Sequence, residues 1–494
     1  MKKLFLALVA GVFVLSYALS ASATELKTYG YFRAYVSHVT NYNFNDDTDE
    51  NEFTAAQRLR PYFDFIANEN LKATLALEYD TTWGKKSRDA FNDAGGAAGM
   101  DTTTNTELKR AMLTFKWPNT NILFKIGAQG MSLPGTFGGE LNREGGVSPV
   151  FNGDITGAIV SAQINDMFGI TLGWARPWLN EDDNAGVGSE ADENIDAFFL
   201  TVPVRIQGAQ VTPYVMYATI GDRAYPAEGE IFLHSGGLEA YYHGDLVGTL
   251  KRDDSDLWYA GMSFEISMFE PIVIKGNFVY GSLDSDIEFR NNVRNADDFG
   301  DREGWYMDLA IDYKMDFMTP SLYGYYMSGD DDDPWDGSEC IPVLASDGWG
   351  TPGGFAVGDN SVFDFNDNNY GLVQETPTGV WLIGFALKDI SLIENLKSTF
   401  AIEYGQGTVD SDLIKKYGPA YGPEIDGNFV LTDEDYFVQV MLTNKYKIYE
   451  NLAAVLELGY ASLDMDDETW ENWKGDDYLD DDAYLVTFGF TYDF

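Results

Sequence analysis

Cysteine is all but missing from this chain: Cys340 is the only one in 494 residues. A single thiol excludes an intramolecular disulfide framework. Histidine is nearly as scarce. Only His38, His234 and His243 occur, and none lies beside a serine motif of hydrolase pattern, so no catalytic site is expected. Basic residues are few as well, 32 Lys plus Arg against 79 Asp plus Glu, for a net charge of −47. Nucleic acid is therefore excluded as a partner, because phosphate binding needs cations. Such acidity suits a surface that meets water and divalent cations.

Long hydrophobic runs are also lacking. Past the N-terminus no apolar stretch approaches the roughly 20 residues that a membrane helix needs. The mean hydropathy of −0.23 would suit a soluble protein. The 32 Phe, 30 Tyr, 11 Trp and 50 Gly do not suit an ordinary one, and no linker divides the chain into separate domains. The N-terminus itself reads as a processing signal. Lys2 and Lys3 precede an apolar run from Leu4 to Leu19, which ends at Ala21-Ser22-Ala23. A basic start, an apolar middle and an A-x-A site describe a cleaved secretory signal peptide over residues 1–23. Residues 24–494 then form one exported domain.

Within that domain one pattern recurs. Segments of about ten residues alternate apolar with polar or small side chains, and the breaks between them alternate in length. Short breaks fall at 67–70, 118–121, 165–168, 207–209, 269–271, 315–317, 391–396 and 447–451. Long, acidic, Gly-rich breaks follow His38, Trp83, Met131, Trp178, Ile220, Leu283, Ser328, Gly407 and Leu463. Short turns on one side and long loops on the other describe a transmembrane antiparallel β-barrel of the outer membrane. In lipid every backbone amide must be paired internally, so a sheet spans only by closing on itself. A soluble sandwich has no reason to sort its loops by parity. Nine long loops and eight short turns give about 18 strands, or 16 if the segments within 220–255 and 329–378 fall differently.

The last segment shows the alternation most clearly. Val486, Phe488, Phe490, Tyr492 and Phe494 share one face, with small or polar residues on the other. Phe488, Phe490, Tyr492 and the terminal Phe494 resemble the C-terminal signal read by the barrel-assembly machinery. If this aromatic stripe faces lipid, the same parity sends charge inward elsewhere. Arg33, Arg58, Arg60, Arg110 and Lys125 then form a basic, pore-lining wall on consecutive strands. A cation facing lipid at mid-depth would cost about 2–4 kcal/mol. The wall either sets ion preference or merely pairs with nearby carboxylates such as Asp64, Glu78 and Asp80.

The third long break, from Met131 to Asn152, carries Pro134, Phe137, Gly138, Gly139 and Glu140, then Arg143 and Glu144. Its position and its Pro-x-x-Phe-Gly-Gly-acid core resemble the loop that folds into the lumen of general porins and narrows it. It has one more residue between Pro and Phe than the enterobacterial version.

More broadly the chain resembles the homotrimeric outer-membrane porins of sulfate-reducing bacteria. The resemblance is carried by Glu52-Phe53-Thr54-Ala55-Ala56-Gln57-Arg58-Leu59-Arg60, Thr82-Trp83-Gly84-Lys85, Lys109-Arg110-Ala111, Leu133-Pro134 and Trp174-Ala175-Arg176-Pro177. It implies a passive diffusion channel for small hydrophilic solutes and ions, a homotrimer, and contact with outer-membrane lipid and lipopolysaccharide. It also implies that Glu140 and Glu144 face the basic wall across a narrow eyelet. The alternative is a substrate-selective channel, for a sugar or for an organic or inorganic anion. No cofactor is required. Acidic runs in the long loops, Asp330, Asp331, Asp332 and Asp333 among them, suit loosely bound Ca²⁺ or Mg²⁺, although none has the spacing of a dedicated Ca²⁺ loop.

Overall fold

The computed structural model describes residues 24–42, 44, 51–84, 106–138, 146–179, 194–221, 250–251, 254–285, 288–289, 301–333, 336–345, 349–358, 360–363, 379–417, 431–474 and 481–494. Residues 1–23, expected to be a signal peptide, lie outside them. The described strands form one antiparallel barrel of eighteen strands. In chain order they are β1 (Glu25–Thr40), β2 (Asn51–Asn68), β3 (Leu71–Thr82), β4 (Glu107–Lys116), β5 (Ile122–Gly135) and β6 (Gly146–Gln163). Next come β7 (Gly169–Leu179), β8 (Asn194–Thr201, resuming at Val204–Ile206), β9 (Ala209–Ile220), β10 (Ser255–Phe269), β11 (Ile272–Ser285) and β12 (Arg302–Tyr313). The last are β13 (Thr319–Met327), β14 (Val380–Ile390), β15 (Leu396–Gly407), β16 (Tyr436–Tyr449), β17 (Leu452–Asp464) and β18 (Asp482–Asp493). Pro203 interrupts β8, because a proline ring has no N–H for the ladder, yet both parts pair with β9.

Each strand pairs with its neighbours in sequence, and β18 closes on β1 from Tyr31↔Asp493 to Thr40↔Tyr484. Closure leaves no edge, which is what permits a sheet to span lipid. All the expected short breaks are short turns. Asn119 and Gly208 adopt positive φ there, 59° and 71°, a conformation that asparagine and glycine tolerate best. The nine long connections join strands at the opposite, external end, where two short helices occur among the described residues, α1 (Ser411–Tyr417) and α2 (Asp467–Lys474). No helix among the described residues is long and apolar enough to cross a membrane.

Side chains sort by parity as the period of a strand requires. Outward positions form a belt of exposed apolar residues, including Leu113, Leu172, Phe198, Met262, Phe278, Leu322, Ile383 and Phe488. So large an apolar surface marks a lipid-facing band. Aromatics flank it externally. Trp174 donates to Asp196, Tyr217 to Asp256 and Tyr460 to Asp482, so each polar tip is held where the ring leaves the hydrocarbon. Phe488, Phe490, Tyr492 and Phe494 all face outward, 40–44% exposed.

Candidate functional site

The inner face is where chemistry is concentrated. Arg33 and Arg58 stand directly opposite one another across β1 and β2, as do Tyr31 and Arg60. Both Arg33 and Arg60 lie over the Tyr31 ring, at 4.2 and 5.3 Å from its centre. These basic side chains are heavily paired. Arg58 grips Asp80 with Nε at 2.9 Å and Nη2 at 2.6 Å, and approaches Glu78 at 3.6 Å. Arg60, with no exposed surface, holds Glu78 through Nε and Nη2. Arg110 binds Asp154. Lys72 and Thr74 both bind Asp64, at 2.8 and 2.6 Å.

Lys109 joins this network, a residue that simple alternation sends the other way. The β3–β4 register shifts between Ala76 and Leu77. Two neighbouring positions on β4 thereby reach one cluster, since a bulge re-aims side chains. Lys109 contacts Asp154 at 2.7 Å and Glu78 at 3.5 Å. Of the five basic residues expected on this wall, Lys125 alone has neither an ion pair nor a side-chain hydrogen bond among the described residues. Arg33 donates to the Val362 carbonyl at 3.2 Å. Gly139, Glu140, Arg143 and Glu144 lie outside the described residues. The described acidic partners of the wall are Glu78 and Asp80 on β3 and Asp154 on β6, the strands beside its own.

The third connection is shorter than its sequence suggests. Rather than a loop from Met131 to Asn152, β5 runs on to Gly135 and β6 begins at Gly146. Pro134 pairs with Val147, and the register shifts between Ser132 and Pro134. Beyond that irregularity, Phe137 and Gly138 reach the far wall. The Phe137 ring packs on Tyr323 of β13 at 5.7 Å and on Trp349 at 6.5 Å. Gly138 has φ +70°, and a Cβ there would meet Trp349 Cα at 2.9 Å.

A second segment crosses the lumen, and sequence inspection leaves it as an ordinary external loop. Residues 338–345, 349–358 and 360–363, between β13 and β14, lie along the inner wall and touch strands from β6 round to β1. Tyr259 of β10 donates to the Pro342 carbonyl at 2.7 Å, and the Leu344 N–H donates to Val150 of β6 at 2.9 Å. Trp349 stands 5.3 Å from Tyr325 and 6.0 Å from Tyr306.

Three inward residues of β15, β16 and β17 then fasten the segment. Glu403 accepts from the Gly353 N–H at 2.9 Å and from Tyr323 at 2.5 Å. Gln439 Oε1 accepts the N–H groups of Phe355, Ala356 and Val357 at 3.3, 2.9 and 3.1 Å. Glu457 accepts from the Val362 N–H and the Ser361 hydroxyl, both at 2.8 Å. Phe363 packs on Tyr35 at 5.2 Å, which brings the segment back to β1. Glu403, Gln439 and Glu457 are all 0–1% exposed. The available sequence signal was a lone acid or amide at inward parity on otherwise apolar strands.

Outside the barrel, Asp330 is not free for a cation. It is buried and accepts from the Ser338 hydroxyl and the Glu339 and Cys340 N–H groups. The carboxylates that converge are Asp331, Asp336 and Glu339. Burial, with Asp330 and Asp331 beside it, raises Glu339 to about 7. Cys340 is buried and unpaired, and its thiol is likewise pushed upward by burial. Asp435 ties two external loops together: it accepts from Trp470 Nε1, the Thr432 hydroxyl and the Asp466 N–H.

Burial raises Asp435 to about 6 even against those donors. A raised carboxyl contributes stability that is fully present below the unfolded value and lost as pH rises through the folded one. The contacts around Trp470 should therefore loosen between about pH 4 and pH 6 as pH increases. D435N should flatten that dependence, measured by hydrogen exchange at the Trp470 indole.

No protein-family model matches the sequence, and no curated protein matches it. Solved structures do share its fold. OpdL of Pseudomonas aeruginosa aligns at a TM-score of 0.51 with 10% identity, over 95% of this chain and 99% of that one. OprD of the same organism aligns at 0.50 with 11% identity, over 96% and 97%.

Proposed function

We propose that this protein is an outer-membrane channel through which small hydrophilic solutes and ions diffuse passively, with a path narrow enough to select among them. The observation that carries the reading is a closed barrel with a charged inner face, into which the fastened residues 349–358 and 360–363 and the Phe137 ring are packed. An apolar belt on the outer face supports an integral outer-membrane location. Cleavage of residues 1–23, delivery by the barrel-assembly machinery, lipopolysaccharide contact and loose external Ca²⁺ or Mg²⁺ belong to the same reading. So does assembly as a homotrimer like the porins of sulfate-reducing bacteria. Planar-bilayer recording tests it. Discrete conductance steps are expected, with saturable block by a permeant solute. Steps that no solute blocks would favour a general porin, and no conductance would overturn the channel altogether.

Ion preference should follow uncompensated charge rather than the paired arginines. In the periplasmic half, inward register positions carry Lys27, Lys72, Lys116, Lys125, Lys275, Lys388, Lys397, Lys445 and Lys447. Five of these have acidic partners, Lys72 with Asp64, Lys275 with Glu265, Lys388 with Asp312, Lys397 with Asp389 and Lys447 with Glu450, which leaves Lys27, Lys116, Lys125 and Lys445 without an ion pair among the described residues. Reversal potentials in a salt gradient should therefore indicate anion preference. K125Q should shift them toward cations, whereas R58Q/D80N, which removes an ion pair of no net charge, should leave them nearly unchanged. Equal shifts would show that pairing does not govern the field along the path.

A further inference from the structure

The periplasmic end of β14–β18 carries a half-open cleft of about 380 Å³ that none of the features above explains. Lys397 and Lys445 line it, directly opposite one another across β15 and β16, and Lys447 follows on the same face. Like charges placed opposite in a sheet destabilise it, so an unrelieved pair of lysines facing that cleft calls for a counter-charge. The acids nearby supply little. Lys397 meets Asp389 at 3.4 Å with both side chains more than half exposed, and Lys447 meets an almost fully exposed Glu450 at 3.9 Å. Lys445 has no ion pair among the described residues.

Thr491 is an independent indication. It is 4% exposed and lines the same cleft, and its hydroxyl finds no hydrogen-bond partner. A buried hydroxyl left unpaired is costly, and here it stands beside cationic donors. The lining carboxylates Glu394, Glu450 and Asp493 sit in the two short turns and at the end of β18, whereas Lys397 and Lys445 stand on the strands.

We propose that this cleft binds a small doubly charged oxyanion, phosphate-like or dicarboxylate, at the periplasmic exit of the path. Lys445 and Lys397 supply charge-assisted hydrogen bonds, and Thr491 donates its hydroxyl. The inference deepens the channel reading and rests on it for the placement of the cleft at the exit. Titration calorimetry on the full-length barrel in detergent, with inorganic phosphate and separately with malonate, measures binding without conduction. Saturable binding of either anion is expected, and the one bound identifies the oxyanion class. K397Q/K445Q should weaken it by about tenfold or more, whereas K445R should retain it. Heat-modifiable migration in detergent gels would confirm that both variants are folded. Binding of neither anion, or binding unchanged in K397Q/K445Q, would overturn the site. Steps in a bilayer without calorimetric binding would remove this site and leave the channel standing. Binding without steps would do the reverse.

Discussion

Replacing Gln439 by leucine should raise single-channel conductance severalfold. One amide oxygen takes the N–H groups of Phe355, Ala356 and Val357, and its Nε2 returns a bond to the Val357 carbonyl at 3.2 Å. Leucine fills a similar volume but accepts nothing. Three buried N–H groups would be orphaned, each costing about 1–3 kcal/mol, more than residues 353–357 recover from packing alone. The segment should leave the wall and widen the path. Recordings on Q439L, with refolding checked by heat-modifiable migration, test this. Conductance equal to that of the parent would mean that residues 353–357 do not narrow the route taken by ions.

E78L should destabilise the barrel by about 3–5 kcal/mol, the usual cost of breaking a buried ion pair from one side. Arg60 would keep its charge at zero exposure without the carboxylate that takes both its Nε and Nη2. Arg58 and Lys109 would lose a neighbour as well, though Asp80 and Asp154 still hold them. R60M/E78L should recover most of the loss, because an apolar pair of similar volume is often neutral or better than a buried ion pair. A double-mutant cycle from urea unfolding in lipid vesicles measures the coupling. A double variant no more stable than E78L would show that the network, rather than the pair, carries the energy.

The barrel was legible because a strand in lipid obeys two strict rules at once: alternate sides, and leave no amide unpaired. Those rules placed every turn and gave the eighteen-strand count. They also put Arg33, Arg58, Arg60 and Lys125 at the inward positions that the register gives them. Lys109 escaped because a register shift breaks the alternation on which the reading depended. The pairing of Arg58 and Arg60 with Asp80 and Glu78 was one of two readings open in the sequence, and choosing between them required cross-strand register. Residues 338–363 were opaque for a different reason. Their hold on the wall is made of backbone N–H groups, which every residue type offers alike. Only the receiving side, Glu403, Gln439 and Glu457, carries a trace in the sequence. The hairpin at Met131–Asn152 was expected to be a narrowing loop by its position, and its length was overstated because Gly and Pro there form a bulge rather than end the strands.

One consequence of the inner segment concerns how the barrel shuts. The join between the first strand and the last is a seam, held along its length by the β1–β18 ladder. Residues 361–363 lie across that join from within. Val362 is gripped by Glu457 on one flank and by Arg33 on the other, while Phe363 rests on Tyr35, close to Gly489. Parting the seam therefore breaks more than a ladder: it also pulls a rivet out of both flanks. The residues that line the interior thus also brace the join by which the barrel closes.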